Sequence, residues 1–330
     1  MSLQSRYDQD GIKETATVED DPVQWWYVNA LIEAPGTPID GWALICTMLR
    51  FGSALEEGRF VLMPPQPGDQ TIDFGTRRLP PGSLQASTES VDVRIGANSL
   101  RGGYPELELD IAGTTRDGVA CAAQLSYHAQ LEPEQLTHLD GQLRHFACYK
   151  LGAEGTITID GASYQVRAVG FYERVYGSMG WDSEEGTVHT DGWNWYWSPA
   201  VGPEDLAVEV WSFFVEGEDQ PDAYVAVTDG ETWHRFTSGV RTIEETREIH
   251  GVPYPHKIRV TDKNDAGELD LVITRRDIDG RSLTGPGRPL RMYFITGFAD
   301  FEGTARIGGR EYQLNGQGFG SVYEMSTEWT

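Results

Sequence analysis

One phrase occurs twice in this protein. Gly155-Thr156-Ile157-Thr158-Ile159-Asp160-Gly161-Ala162-Ser163-Tyr164-Gln165-Val166 runs on to Gly170-Phe171. Gly303-Thr304-Ala305-Arg306-Ile307-Gly308-Gly309-Arg310-Glu311-Tyr312-Gln313-Leu314 runs on to Gly318-Phe319. Eight positions match without a gap, each pair 148 residues apart: the opening Gly-Thr, an Ile, a turn Gly, Tyr-Gln and the closing Gly-Phe. That spacing is the length of a small domain and not of a solenoid repeat, so it predicts two sibling units. An aromatic strand leads each unit, Trp25-Trp26-Tyr27 in the first and Trp193-Asn194-Trp195-Tyr196-Trp197 in the second.

A chain of 330 residues can hold two such domains, each with its own core. No apolar run approaches the roughly 20 residues that span a bilayer, so no stable membrane insertion is expected. Residues 1–20 read as a polar, acidic leader without the apolar centre of a signal peptide, and the expected location is cytoplasmic. The net charge of −25, with only Lys13, Lys150, Lys257 and Lys263 as lysines, excludes nucleic acid as a partner. Phosphate must be neutralised by Lys or Arg, and this surface repels it. Cys46, Cys121 and Cys148 each stand in an apolar stretch, form no metal-ligand spacing, and are expected to be buried and reduced.

Period-two alternation dominates the sequence. Val91–Ile95, Leu107–Ile111, Leu269–Ile273 and Tyr224–Val227 read as strands, and Asp160-Gly161, Gly308-Gly309 and Asp229-Gly230 as hairpin turns. Helical periodicity is confined to a possible short helix over Glu132–His145, interrupted by Gly141. With 38 Gly and 17 Pro, the class is all-β, barrel or sandwich. The predicted domains are 21–180 and 187–330, the boundary falling between Gly177 and Thr190.

Gly170 to Trp211 carries five of the ten tryptophans: Trp181, Trp193, Trp195, Trp197 and Trp211. Trp193, Trp195 and Trp197 alternate, so one strand face carries three indoles while Asn194 and Tyr196 face the other way. Such a row suits a packed seam or the wall of an apolar cavity. Glu173 and Arg174 stand where the second repeat has Ser321 and Val322, and as strand neighbours they point to opposite sides. A carboxyl in an apolar, Trp-rich setting has a raised pKa and suits a general acid; a structural ion pair is the alternative. The seven histidines show no HxH or HExxH spacing, and no P-loop, dinucleotide fingerprint or nucleophile elbow is present. No metal and no cofactor are expected.

Trp25-Trp26-Tyr27 resembles the EWWY opening of the two-domain lipocalin-like superfamily of AttH-like proteins, carotenoid 1,2-hydratases (hydroxyneurosporene synthases) and decalin-forming Diels–Alderases. Gly170 to Gly177 and Gly192-Trp193-Asn194-Trp195-Tyr196 resemble, in register, the central signatures of that superfamily, G-x-W-M-D-R-E-W-G and G-W-D-W-F. Gly316-Gln317-Gly318 resembles its C-terminal G-x-G-x-x-E, with Glu324 displaced. The likeness spans Trp25 to Glu324. It implies two tandem lipocalin-like (calycin) antiparallel β-barrel or sandwich domains. The family's acid falls on Glu173 and its Arg on Arg174, whereas its second acid falls on Val175 and its Trp on Tyr176.

In the hydratase-like members a carboxylic acid is thought to protonate a polyene double bond before water captures the cation. Glu173 fits that step, but the loss of an acid at Val175 weakens a two-carboxylate scheme. Cycloaddition asks less of side chains: a cavity that orients a linear polyene supplies most of the acceleration, and one donor to a carbonyl adds to it. The resemblance therefore implies a cyclase or isomerase of the Diels–Alderase type acting on a hydrophobic polyene or polyketide precursor. Glu173, Arg174 and Tyr176 are its expected catalytic residues. Trp25, Trp26, Tyr27, Trp181, Trp193, Trp195, Tyr196, Trp197 and Trp211 are its expected substrate-binding walls. Acid-catalysed hydration of a polyene and non-catalytic carriage of a hydrophobic small molecule are the alternatives, in a monomer or homodimer.

Overall fold

A computed structural model describes residues 23–51, 55–65, 71–87, 90–138, 142–177, 190–202, 206–215, 222–228, 230, 232–249, 252–276, 279–282 and 291–326. They divide into two compact units, Met1–Glu184 and Glu185–Thr330. In the first unit the strands are β1 (Val23–Glu33), β2 (Ala43–Phe51), β3 (Leu55–Met63), β4 (Ile72–Asp73), β5 (Thr76–Leu79), β6 (Leu84–Ala86) and β7 (Val91–Ile95). There follow β8 (Asn98–Gly103), β9 (Glu106–Thr114), β10 (Ala120–Ala129), β11 (Glu134–His138), β12 (Leu143–Ile159) and β13 (Ala162–Gly177). The second unit has β14 (Thr190–Ser198), β15 (Ala207–Val215), β16 (Asp222–Thr228), β17 (Trp233–Ile249) and β18 (Val252–Asn264). It continues with β19 (Gly267–Arg275), β20 (Asp279–Ser282), β21 (Arg291–Ile307) and β22 (Arg310–Ser326).

The all-β reading holds: every regular element among the described residues is a strand, and none is a helix long and apolar enough to cross a membrane. Contrary to the short helix expected there, among the described residues of Glu132–His145 there is no helix. Glu134–His138 and the start of β12 pair antiparallel there, Leu136 opposite His145. Glu134 and Leu136 are buried while Gln135 and Thr137 are more open, so period two prevails over the weak helical pattern.

In the second unit β14 to β19, β21 and β22 pair in sequence around a ring that the β19–β21 ladder closes. The first unit is a longer, open sheet in the order β4-β3-β2-β1-β13-β12-β10-β9-β8-β7-β6. Its sheet curls so that β6 reaches the β2–β3 hairpin. Arg50 donates to Glu56 at 2.9 Å and to the carbonyl of Leu84 at 2.8 Å, while the Leu84 N–H donates to Glu56 at 2.7 Å. Each unit encloses its own core, Trp26, Val28, Phe60, Tyr127 and Tyr172 among the first, Tyr196, Val210, Phe236 and Ile273 among the second. Cys46, Cys121 and Cys148 are buried free thiols, as expected.

The repeated phrase is one device built twice, the β12–β13 hairpin and the β21–β22 hairpin. Gly155 and Gly303 both have φ of +153°, and a Cβ on either would stand 2.0 Å from a carbonyl oxygen of the neighbouring strand. The tips, Asp160-Gly161 and Gly308-Gly309, have positive φ at both positions, as a type I′ turn requires. Asp229 lies outside the described residues.

Candidate functional site

Strand β13 is buried on both faces from Gly170 to Gly177. Val166, Ala168, Tyr172 and Tyr176 belong to the core of the first unit. Alternation therefore turns Arg174 inward with them and Phe171, Glu173 and Val175 to the opposite face of the sheet. β1 lies beside β13 with Tyr27 opposite Glu173, Trp26 opposite Arg174 and Trp25 opposite Val175. On its other side β12 places His145 opposite Val175 and Ala147 opposite Glu173.

On the outward face the carboxyl of Glu173, 5% exposed, meets two partners. Trp25 donates its indole N–H to Oε1 at 2.7 Å, and Nε2 of His145 lies 3.2 Å from Oε2. Burial pushes the Glu173 pKa up to about 8, the Trp25 hydrogen bond pulling slightly the other way. Burial pushes His145 down to about 3, with Glu134 opposing. At neutral pH both groups are accordingly uncharged, so this contact is not an ion pair but a carboxylic acid beside a neutral imidazole. A second imidazole extends the line: Nδ1 of His145 and Nε2 of His138 are 3.2 Å apart, and burial likewise holds His138 well below its ordinary value. If the acid proton sits between Oε2 and Nε2, Nδ1–H of His145 is the donor to His138, a tautomer assigned from these neighbours.

The rest of this face is aromatic. Tyr27 stands edge-on to Phe171 at 6.0 Å, and Tyr149 tilts against Phe171 at 5.7 Å. The Tyr27 hydroxyl accepts from Asn29 at 3.2 Å, and burial keeps it protonated. Tyr149 donates to Glu134 at 2.9 Å.

Arg174 does different work. Its guanidinium lies over the Trp26 ring at 4.0 Å and the Tyr176 ring at 4.9 Å, on the core side of the sheet. It donates to Gln24 at 2.9 Å and to the carbonyl of Val175. Of the three residues expected to share catalysis, Glu173 thus stands on one face of the sheet, Arg174 and Tyr176 on the other. Trp25 and Tyr27 join Glu173, and Trp26 joins Arg174.

The second unit divides its aromatic strand in the same way. Tyr196 faces the barrel core, while Trp195, Trp197 and Trp211 lie on the outer face. Trp195 and Trp211 both donate their indole N–H to one oxygen of the fully buried Glu209, each at 2.8 Å. Trp181 lies outside the described residues, as does the side chain of Trp193. Sequence reasoning passed over His145 and Glu209. The signal that could have found Glu209 was a lone ionisable residue inside an apolar strand, Val208-Glu209-Val210-Trp211; His145, next to Arg144, carries no such signal.

No family model matches the sequence, and no curated protein sequence matches it. Solved structures do. An AttH-like protein of Nitrosomonas europaea superposes with a TM-score of 0.66 at 16% identity, over 93% of this chain and 94% of that one. Kievitone hydratase of Nectria haematococca gives 0.66 at 14% identity, over 94% and 96%. The protein therefore shares its all-β fold with these two proteins over nearly its whole length.

Proposed function

We propose that this protein is a hydro-lyase, adding water across a carbon–carbon double bond of an apolar small molecule, with Glu173 as the acid. The observation that carries this reading is a buried carboxyl that accepts from Trp25 at Oε1 and lies 3.2 Å from His145 at Oε2, with burial raising its pKa. An alkene is a poor base, so its protonation needs an acid kept neutral and dry and poised near working pH. The O–H bond at Oε2 breaks as the new C–H bond forms, leaving a carboxylate and a carbocation. The π faces of Tyr27 and Phe171 on the same side of the sheet suit a cation. Water attacks the cation, and the proton it sheds returns to the Glu173 carboxylate.

His145 stands at the departure noted at Val175. The partner acid expected there is missing, and the imidazole comes from the residue directly across the ladder. Burial holds that imidazole near 3, so it is a weak base: it stands beside the acid, and the Glu173 carboxylate is the group that takes back the proton. That one neighbour in fold is a hydratase supports the same class of chemistry.

The cyclase reading offers Arg174, Tyr176, Tyr27 and Tyr196 as donors to a substrate carbonyl. Arg174 and Tyr176 point to the core of the first unit and Tyr196 to the core of the second, so of the four only Tyr27 shares the Glu173 face. Deleting the gene in its native host separates the readings. A product heavier than the accumulating precursor by one water supports hydration, an isobaric pair supports cyclisation, and unchanged metabolites support a carrier.

A further inference from the structure

The interior of the closed barrel in the second unit ends in a polar layer that the proposed hydration does not use. Asn194 and Ser212 face each other directly across the β14–β15 ladder, and Tyr196 follows Asn194 on the same face. Tyr196 and Val210 belong to the barrel core, so alternation turns Asn194 and Ser212 inward too. All three are buried, at 0%, 1% and 0% exposure for Asn194, Ser212 and Tyr196. Both amide atoms of Asn194, the Ser212 hydroxyl and the Tyr196 hydroxyl lack a hydrogen-bond partner. Buried polar groups are paired in nearly every folded protein, because an unmade hydrogen bond leaves the full desolvation penalty standing. Four such atoms within two neighbouring strands mark a place shaped for something else.

Two cations frame the same layer. The Arg275 guanidinium lies 5.5 Å from the Tyr196 ring and 5.9 Å from the Tyr254 ring. Arg241, 4% exposed, sits on β17 within electrostatic reach of Tyr196. The groups converging here are two guanidinium forks, two hydroxyls and an amide. They are donors, save for the Asn194 oxygen and the hydroxyl lone pairs. Their complement is an acceptor-rich anion with at most one O–H of its own.

We propose that this end of the second barrel is an oxyanion-binding site, taking the carboxylate or phosphate group of a small molecule, separate from the Glu173 face. Asn194, Ser212 and Tyr196 supply the neutral contacts; Arg241 and Arg275 supply the charge.

The test is calorimetric titration of the whole protein with inorganic phosphate and, separately, with octanoate, alongside thermal unfolding. One saturable site is expected for at least one probe. Phosphate alone would assign the site to phosphate, and octanoate alone to an apolar carboxylic acid. Tyr196→Phe, Ser212→Ala and Asn194→Leu should each weaken binding about tenfold. Tyr196→Phe should also raise the unfolding temperature of the ligand-free protein, since it deletes an unpaired hydroxyl and leaves the ring in place. Glu173→Gln should bind both probes as the unaltered protein does, even if it abolishes hydration. No saturable heat with either probe would overturn the proposal, as would binding that all three substitutions leave unchanged.

Discussion

Oε2 of Glu173 lies 3.2 Å from Nε2 of His145, and burial moves the two groups in opposite directions, the acid to about 8 and the imidazole to about 3. Two groups that could have formed an ion pair instead share a neutral contact. The cause is the same in both: removal from water disfavours whichever form carries charge.

Glu173→Gln should lower turnover by roughly 100- to 10,000-fold, the range of a positioned general acid. The amide keeps the shape and can still accept from Trp25, so substrate affinity should change little. Steady-state kinetics on the product that gains water check this. An unchanged rate would return the protein to the carrier reading.

For the unaltered protein the rate should fall as pH rises through about 8, where Glu173 loses its proton. Trp25→Phe removes the hydrogen bond that favours the carboxylate, so that alkaline limb should move to higher pH. A pH profile of kcat for both proteins is the measurement. A limb moving downward would contradict the assigned role of the indole.

The same shifts bear on stability, with signs that follow from linkage. Glu173 has a folded pKa above its ordinary 4.5, so its contribution is complete below 4.5 and is lost as pH rises towards about 8. His145 has a folded pKa below its ordinary 6.5, so its contribution is complete above 6.5 and is lost as pH falls towards about 3. In urea unfolding between these limits, Glu173→Gln should flatten the alkaline fall, and His145→Gln the acid one.

Much of the fold was legible because backbone geometry writes directly into residue type. A type I′ turn demands residues that accept positive φ, and the close approach of the neighbouring strand at Gly155 and Gly303 admits no Cβ, so glycine recurred at the same phrase in both halves. Period two likewise exposed the strands. The opposed directions of Glu173 and Arg174 also followed from alternation. What stayed hidden was which side chains meet across a ladder. His145 reaches Glu173 through the β12–β13 ladder, and Glu209 gathers two indoles from its own strand and its neighbour. The i, i+2 spacing of Glu209 and Trp211 is written in the sequence, but the contacts of Glu173 with His145 and of Glu209 with Trp195 are not. Arg174 attracted a catalytic reading because charge in an apolar strand looks functional, whereas the inward partners Trp26, Tyr176 and Gln24 are what account for it.

Arg174 consequently separates structure from chemistry. Arg174→Ala removes a buried guanidinium together with its stacking on Trp26 and its hydrogen bonds. It should cost about 3 kcal/mol or more in chemical unfolding. Arg174→Met, which refills the volume without a charge, should cost less. Turnover per folded molecule should hold in Arg174→Met, because the side chain points away from Glu173. A drop comparable to that of Glu173→Gln would place the arginine back in the reaction.

The duplicated hairpins offer a test internal to the molecule. Alanine at Gly155 or Gly303 would put a Cβ 2.0 Å from a backbone oxygen at a φ that L residues avoid, so each should lose about 2–3 kcal/mol. Alanine at Gly161 or Gly309 meets nothing within 4 Å and carries only the cost of positive φ, about 1 kcal/mol. If the two hairpins are one solution reached twice, the paired positions should agree with each other more closely than positions within one hairpin. Urea unfolding of the four variants decides this, and a large mismatch between Gly155→Ala and Gly303→Ala would mean that the shared phrase meets different demands in the two units.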